Sequence, residues 1–168
     1  MKQFLAAVIR WMGFTPSPTG MRTTINFTPQ AFANLCGHLS ASCRLGHEGI
    51  VYLLGTIDGA EVIIGEVYAP AAETTAGSFY VPETSMAQLM RRAADVNLMV
   101  VGQVHTHPGD AYHSNGDMLG MDIRHDGYVS IVVPSYGARL PTLDGIDVIQ
   151  FSDLAGWRSV EPILVGVR

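Results

Sequence analysis

Residues 49–57 read Gly-Ile-Val-Tyr-Leu-Leu-Gly-Thr-Ile. A run this short, apolar almost throughout and rich in β-branched and aromatic side chains is the pattern of a central strand covered on both faces. Such a strand requires a sheet with a further layer on each side. A second strand-like run, 61–68, follows across Asp58-Gly59, a dipeptide suited to a tight hairpin turn. Buried strands are also expected at 98–104 and 128–134. A last strand at about 147–151 and the tail 157–167 complete the sheet. Thr28-Pro29 opens a helix, with a hydroxyl to cap free N–H groups and proline at the first helical position. Phe32, Leu35, Cys36 and Leu39 give that helix one apolar stripe, and its end is expected near 40–42. Residues 69–77 read as a loop and 78–81 as a short strand. A second helix is expected at about 84–94, with Met86, Leu89, Met90 and Ala93 inward and Arg91 and Arg92 near its C-terminal dipole. The methionines read as core filling. No repeat of period 20–50 is visible. The fold class is α/β (α+β), a mixed β-sheet flanked by helices.

The chain has 168 residues, 48% hydrophobic and 15% charged, with a formal net charge of −5. That apolar content excludes disorder as the dominant state and suits one hydrophobic core. With 10 Lys+Arg against 15 Asp+Glu and no basic cluster, the footprint of a nucleic-acid binder is absent. Cys36 and Cys43 are too few for a disulfide scaffold, and their spacing places both on one helix face as small buried groups. No run approaches the ~20 apolar residues of a membrane span. Residues 1–20 read as an N-terminal leader and linker ahead of a domain at 21–168. The apolar stretch 4–9 is broken by Arg10 and no small-residue cleavage site follows, so a cytoplasmic protein is expected.

Between the buried strands 98–104 and 128–134 lies a polar segment, His105-Thr106-His107-Pro108-Gly109-Asp110-Ala111-Tyr112-His113-Ser114-Asn115-Gly116-Asp117. Alternation along a strand points His105 and His107 to the same side, where two imidazoles can hold a divalent cation. Pro108 ends the strand and Gly109 lets the chain turn back. Asp117 can then supply a carboxylate. Two histidines and one aspartate leave one tetrahedral position open, which distinguishes a catalytic zinc from a structural one. Other His-x-His patterns fit less well. A His-x-His-x-Asp-His hydrolase needs Asp where Gly109 stands, and a cupin needs Glu where Ala111 or Tyr112 stands. The chain is also shorter than the ~250 residues typical of a TIM-barrel amidohydrolase.

His105-Thr106-His107-Pro108 followed by Ser114-Asn115-Gly116-Asp117 resembles the His-Ser/Thr-His-Pro…Ser-x-x-Asp signature of the JAMM (MPN+, JAB-domain) metalloproteases. Upstream, Glu48-Gly49-Ile50-Val51-Tyr52-Leu53-Leu54-Gly55 resembles that family's glutamate strand, with Glu48, Leu53 and Gly55 in register. The order of elements matches from about 25 to 160. Two departures are visible: the stretch from Pro108 to Ser114 is one residue shorter than the family pattern, and Val51 stands where an inner glycine is common. The segments HTHPG and GYVSIVVP most resemble bacterial JAB-domain proteins, some of them encoded beside ubiquitin-like conjugation systems.

The resemblance implies an MPN/JAB (cytidine-deaminase-like) fold. It implies Zn²⁺ on His105, His107 and Asp117, with Glu48 as general base and Ser114 as oxyanion donor. The implied reaction is isopeptide or peptide hydrolysis at the C-terminus of a ubiquitin-like protein, as deubiquitinase-like deconjugation or as precursor maturation. Ubiquitin-activating and ubiquitin-conjugating-like proteins are the implied partners, with antiphage defence one setting. A non-catalytic MPN-type scaffold and a zinc amidase for another peptide remain open alternatives. Asp110 is read as solvating the turn, or as a substitute for Asp117. His113 is read as orienting a ligand or facing solvent. His125 and Asp126 are assigned to a surface turn, and His38 and His47 have no assigned partner.

Overall fold

In the computed structural model, which describes residues 22–167, the 49–57 run forms strand β2 (Ile50–Asp58), whose side chains alternate between two cores. Val51 and Leu53 pack on one side of the sheet, Ile50, Tyr52 and Leu54 on the other, and all five are buried. The expected double coverage is therefore present. The leader expected over 1–20 lies outside the described residues. Among those residues, no helix is long and apolar enough to cross a membrane.

The remaining strands are β1 (Arg22–Phe27), β3 (Glu61–Tyr68), β4 (Glu73–Thr74), β5 (Phe79–Tyr80), β6 (Met99–Thr106), β7 (Val129–Val133), β8 (Asp147–Ser152), β9 (Gly156–Ser159) and β10 (Glu161–Val165). Helices are α1 (Pro29–Leu45), α2 (Glu83–Asp95) and α3 (Asn115–Gly120). Eight strands make one mixed sheet in the order β10-β1-β3-β2-β6-β7-β8-β9, and β4 and β5 form a separate two-stranded ribbon. β9 and β10 are consecutive in the chain, joined through Val160, yet lie at opposite ends of that order. The sheet curls until its ends approach: the Thr23 hydroxyl on β1 donates to Gln150 Oε1 on β8 at 2.8 Å.

Helix α1 starts as its sequence requires. The Thr28 hydroxyl accepts the Ala31 amide at 3.2 Å and Pro29 follows the cap. Its end differs from the expectation at 40–42. The helix runs to Leu45 because Gly46, at φ 65°, is the first residue to supply the left-handed cap. Cys36 and Cys43 are half-buried rather than enclosed. In α2 the inward stripe is Ser85, Leu89 and Ala93, with Met86 partly covered; Met90 is 52% exposed, since one residue beyond Leu89 is about 100° round the helix. β1 was not anticipated, although Thr23, Ile25 and Phe27 alternate with outward residues and are buried. The tail read as one segment is two strands on opposite edges.

Two local features aim the site. At Gly55 an added Cβ would run into the Ile63 carbonyl, so the β2–β3 ladder closes only around glycine there. In the β2–β6 ladder the register slips between Leu53 and Leu54, leaving Val101 as an extra residue on β6. Beyond that bulge Leu53 pairs with Gly102, Tyr52 with Gln103 and Ile50 with His105, so Gln103 and His105 point to the α2 side.

Candidate metal centre

His105 is the penultimate residue of β6 and His107 lies just past its end, held by its amide on the Val133 carbonyl at 3.0 Å. Antiparallel pairing carries the register past Ile50–His105, with the Thr106 amide on the Gly49 carbonyl (3.0 Å) and the Gly49 amide on the Thr106 hydroxyl (2.8 Å). That register sets Glu48 across from His107. Sequence separation between these residues is large, yet ladder pairing alone brings them together.

Asp117 arrives from the other side, in the first turn of α3. Ser114 caps that helix: its Oγ accepts the Asp117 amide at 3.2 Å, and its own amide donates to Asp117 Oδ2 at 2.7 Å. This reciprocal capping box is fixed by the Ser-x-x-Asp spacing. It holds the Asp117 carboxylate with Oδ1 3.4 Å from His105 Nε2 and Oδ2 3.3 Å from His107 Nε2. One ligand atom from each of His105, His107 and Asp117 lies within 4.8 Å of the others.

Three observations test whether these residues suit a cation. His105 is fully buried, and among the described residues neither of its ring nitrogens makes a hydrogen bond, Nε2 meeting only the Asp117 carboxylate at 3.4 Å. A buried polar atom without a partner costs on the order of 1–3 kcal/mol, so the arrangement calls for a further group. Second, each Asp117 oxygen faces a different imidazole, Oδ1 at 3.4 Å from His105 Nε2 and Oδ2 at 3.3 Å from His107 Nε2, and one ligand atom from each residue lies close enough to the others for a single cation to reach all three. Third, protonation suits ligation. Burial holds the His105 imidazole below its usual value despite Asp117 beside it, keeping the ring neutral. Burial alone would raise Asp117, but His105 and the Ser114 bonds outweigh it and hold the carboxyl well below the usual range. The residues fit a divalent cation, and they suggest one there.

Glu48 has the opposite electrostatics. It is 5% exposed, and burial, with the Asp117 charge added, pushes its carboxyl up from 4.5 to about 7. A carboxyl poised near neutrality is suited to take and return a proton. Glu48, His107, Ser114 and Asp117 line one cleft of about 380 Å³, which continues past Tyr52, Met86, Gln103 and Asp122. Its far wall is β5 with its flanks, residues 77–81; of the loop 69–77 only Gly77 reaches it.

The structure brings together Glu48, His105, His107, Ser114 and Asp117. Asp110 is exposed on the turn and does not join the cluster. His113 neither coordinates nor faces solvent. Its Nδ1 meets Asp147 Oδ2 at 2.7 Å, its Nε2 meets the Ser130 hydroxyl at 2.9 Å, and its side chain is 3% exposed. His47 Nδ1 lies 3.1 Å from the Thr74 hydroxyl, tying β2's entry to the β4 strand. His125 Nε2 donates to the Val100 carbonyl at 2.9 Å, and His38 is exposed.

A turn that the motifs did not mark also shapes the site. Ser135 and Tyr136 adopt φ of 54° and 55°, a left-handed conformation costing roughly 1–2 kcal/mol for a residue with a Cβ. In return the Ser135 amide binds the Gly109 carbonyl (2.8 Å) and the Tyr136 amide the His107 carbonyl (2.7 Å). The Tyr136 hydroxyl reaches the Ala76 carbonyl at 2.6 Å, so one turn braces both the histidine turn and the cleft wall. Only Gly137 in Pro134-Ser135-Tyr136-Gly137 hints at a turn in the sequence.

No protein-family profile matches the chain. A protein of Sinorhizobium fredii (strain NBRC 101917 / NGR234) named "Probable metalloprotease y4jG" is 25% identical over 141 residues, spanning 82% of this chain and 87% of its own length. The solution structure of protein DSY2949 from Desulfitobacterium hafniense is similar in fold, with a TM-score of 0.63 at 17% identity, covering 83% of this chain and 92% of that one. The metalloprotease relative and the His105–His107–Asp117 triad support a metal-dependent peptidase.

Proposed function

We propose that the protein is a zinc-dependent, JAMM-type isopeptidase or peptidase that cuts the bond after the C-terminus of a ubiquitin-like protein. The observation that carries this reading is His105, an enclosed neutral imidazole that makes no hydrogen bond among the described residues and whose Nε2 faces the Asp117 carboxylate at 3.4 Å. His105, His107 and Asp117 would hold the metal. Zinc in such a site supplies Lewis acidity and brings the pKa of water down toward ~7. Glu48 takes the proton of the attacking water and returns it to the departing amine. Ser114 spends its oxygen lone pair on the Asp117 amide, which leaves its O–H free to donate to the oxyanion that develops on the scissile carbonyl.

The substrate class follows from the family resemblance and is supported by cleft shape. Gly116 and Gly120 on α3 and the short β5 strand border it, a groove suited to an extended Gly-Gly tail. Among the described residues β5 pairs with β4 on one side only, so a tail can add alongside it as a strand. Completeness of the ligand triad favours an enzyme over a non-catalytic scaffold.

The test is to measure bound zinc and the cleavage of a ubiquitin-like fusion by wild type and Glu48→Gln. About one zinc per chain, with cleavage by wild type alone, is the expected result. Equal cleavage by both proteins removes the role of Glu48, and a wild type that takes up no zinc overturns the reading.

A further inference from the structure

We infer that His113 is a positioning residue for the Asp117 ligand, with Asp147 and Ser130 acting through it; the inference rests on the metal site proposed above. Ser130, His113 and Asp147 form a hydrogen-bonded line resembling a nucleophilic triad. Ser130 is fully buried, however, so no substrate reaches its hydroxyl. The line is a clamp.

Its geometry is specific. Asp147 Oδ2 accepts both the His113 backbone amide (3.1 Å) and Nδ1 (2.7 Å). With Nδ1 carrying the proton toward the carboxylate, Nε2 is left to accept the Ser130 hydroxyl at 2.9 Å. Three bonds from two strands, β7 and β8, thus fix one loop residue. The next residue is Ser114, whose amide and hydroxyl set the Asp117 carboxylate through the capping box. Adjacent backbone amides, 113 and 114, therefore bind Asp147 and Asp117 respectively, and a displacement of the first is passed to the second within one peptide unit. The His113 ring also stands edge-on to His105, centroids 5.9 Å apart, and buttresses a second ligand.

The clamp fills the gap between two other restraints on this segment, the Ser135 and Tyr136 amides on the Gly109 and His107 carbonyls before it and the partly buried Met118 after it. Pro108, Gly109, Asp110 and Tyr112 are exposed, and the six-residue α3 has no fully buried side chain. Apolar packing cannot set the carboxylate of Asp117 to a fraction of an ångström; outer hydrogen bonds can, and losing such partners typically weakens metal sites by about 10–100-fold.

The experiment compares His113→Ala, Asp147→Ala and Asp147→Asn with wild type by amide hydrogen exchange of the metal-free protein and by zinc titration against a chelator. In His113→Ala the amides of residues 114–118 are expected to exchange at least about ten times faster, while β7 and β8 stay protected. Zinc affinity is expected to fall about 10–100-fold. kcat is expected to drop with KM little changed. Asp147→Asn keeps an acceptor and should recover most of what Asp147→Ala loses. If His113→Ala does not fold, Asp147→Ala, whose side chain is 33% exposed in the wild type, carries the same measurements. Unchanged exchange at 114–118 overturns the inference, and so does faster exchange spread evenly over the sheet. A wild type without zinc affinity defeats the proposed function, whereas exchange in the metal-free protein still decides the clamp.

Discussion

His105 and His113 are neighbours, edge to face, with both side chains almost wholly enclosed. Their hydrogen bonding is opposite. His113 has both nitrogens satisfied by protein groups on β7 and β8, while among the described residues His105 makes no hydrogen bond and has only the Asp117 carboxylate near Nε2. The fold therefore treats one imidazole as structure and keeps the other for a guest. Burial or residue type does not separate them; what each nitrogen touches does.

The comparison breaks most sharply at His105. His105→Leu is expected to abolish zinc binding and cleavage outright, while metal-free stability stays level or rises by about 1 kcal/mol because an unsatisfied polar group has gone; zinc titration and thermal unfolding check both halves. Next comes Glu48→Gln, expected to cut kcat by about 10²–10⁴-fold with zinc stoichiometry intact. The same variant carries a pH signature. The folded-state pKa of about 7 lies above the ordinary 4.5, so between those values the metal-free fold holds a proton that the unfolded chain has released. Stability of the metal-free wild type should fall as pH rises across that window, and Glu48→Gln should flatten the fall in denaturant titrations at several pH values. On the α1 side of the sheet, which carries no site residue, Leu35→Ala should cost about 2–5 kcal/mol of stability and leave zinc binding unchanged. Smallest in stability is Ser114→Ala, about 1 kcal/mol for the lost cap. Its rate loss, about 10²-fold, separates capping from oxyanion support in steady-state kinetics.

What could be read in advance was local. The doubly apolar β2, the Thr28 cap, a hairpin turn at Gly59 (its two residues are Gly59 and Ala60, one later than the expected Asp58-Gly59) and the spacing of His105, His107, Ser114 and Asp117 each declare themselves within a few residues. β1 is not legible locally because its six residues mix Thr, Asn and Arg with two large apolar side chains, a pattern that needs its neighbours β3 and β10 to make sense. The α1 end is ambiguous in the sequence because Ser40 and Ser42 look like a stop, while the geometric stop is Gly46. The Ser130–His113–Asp147 line spans residues far apart in the chain, and nothing near His113 announces either partner. The bracing turn at Ser135 and Tyr136 is invisible for another reason: neither residue type ordinarily favours left-handed backbone.

The single-residue passage from β9 to β10 through Val160 has a practical corollary for handling this protein. A chain cut after Ser159 would retain every side chain of the cleft, yet it would strip β1 of β10, one of its two parallel partners, and bare a row of unpaired main-chain groups. Such a truncation should be sticky before it is inactive, self-associating on gel filtration while monomers still turn over substrate.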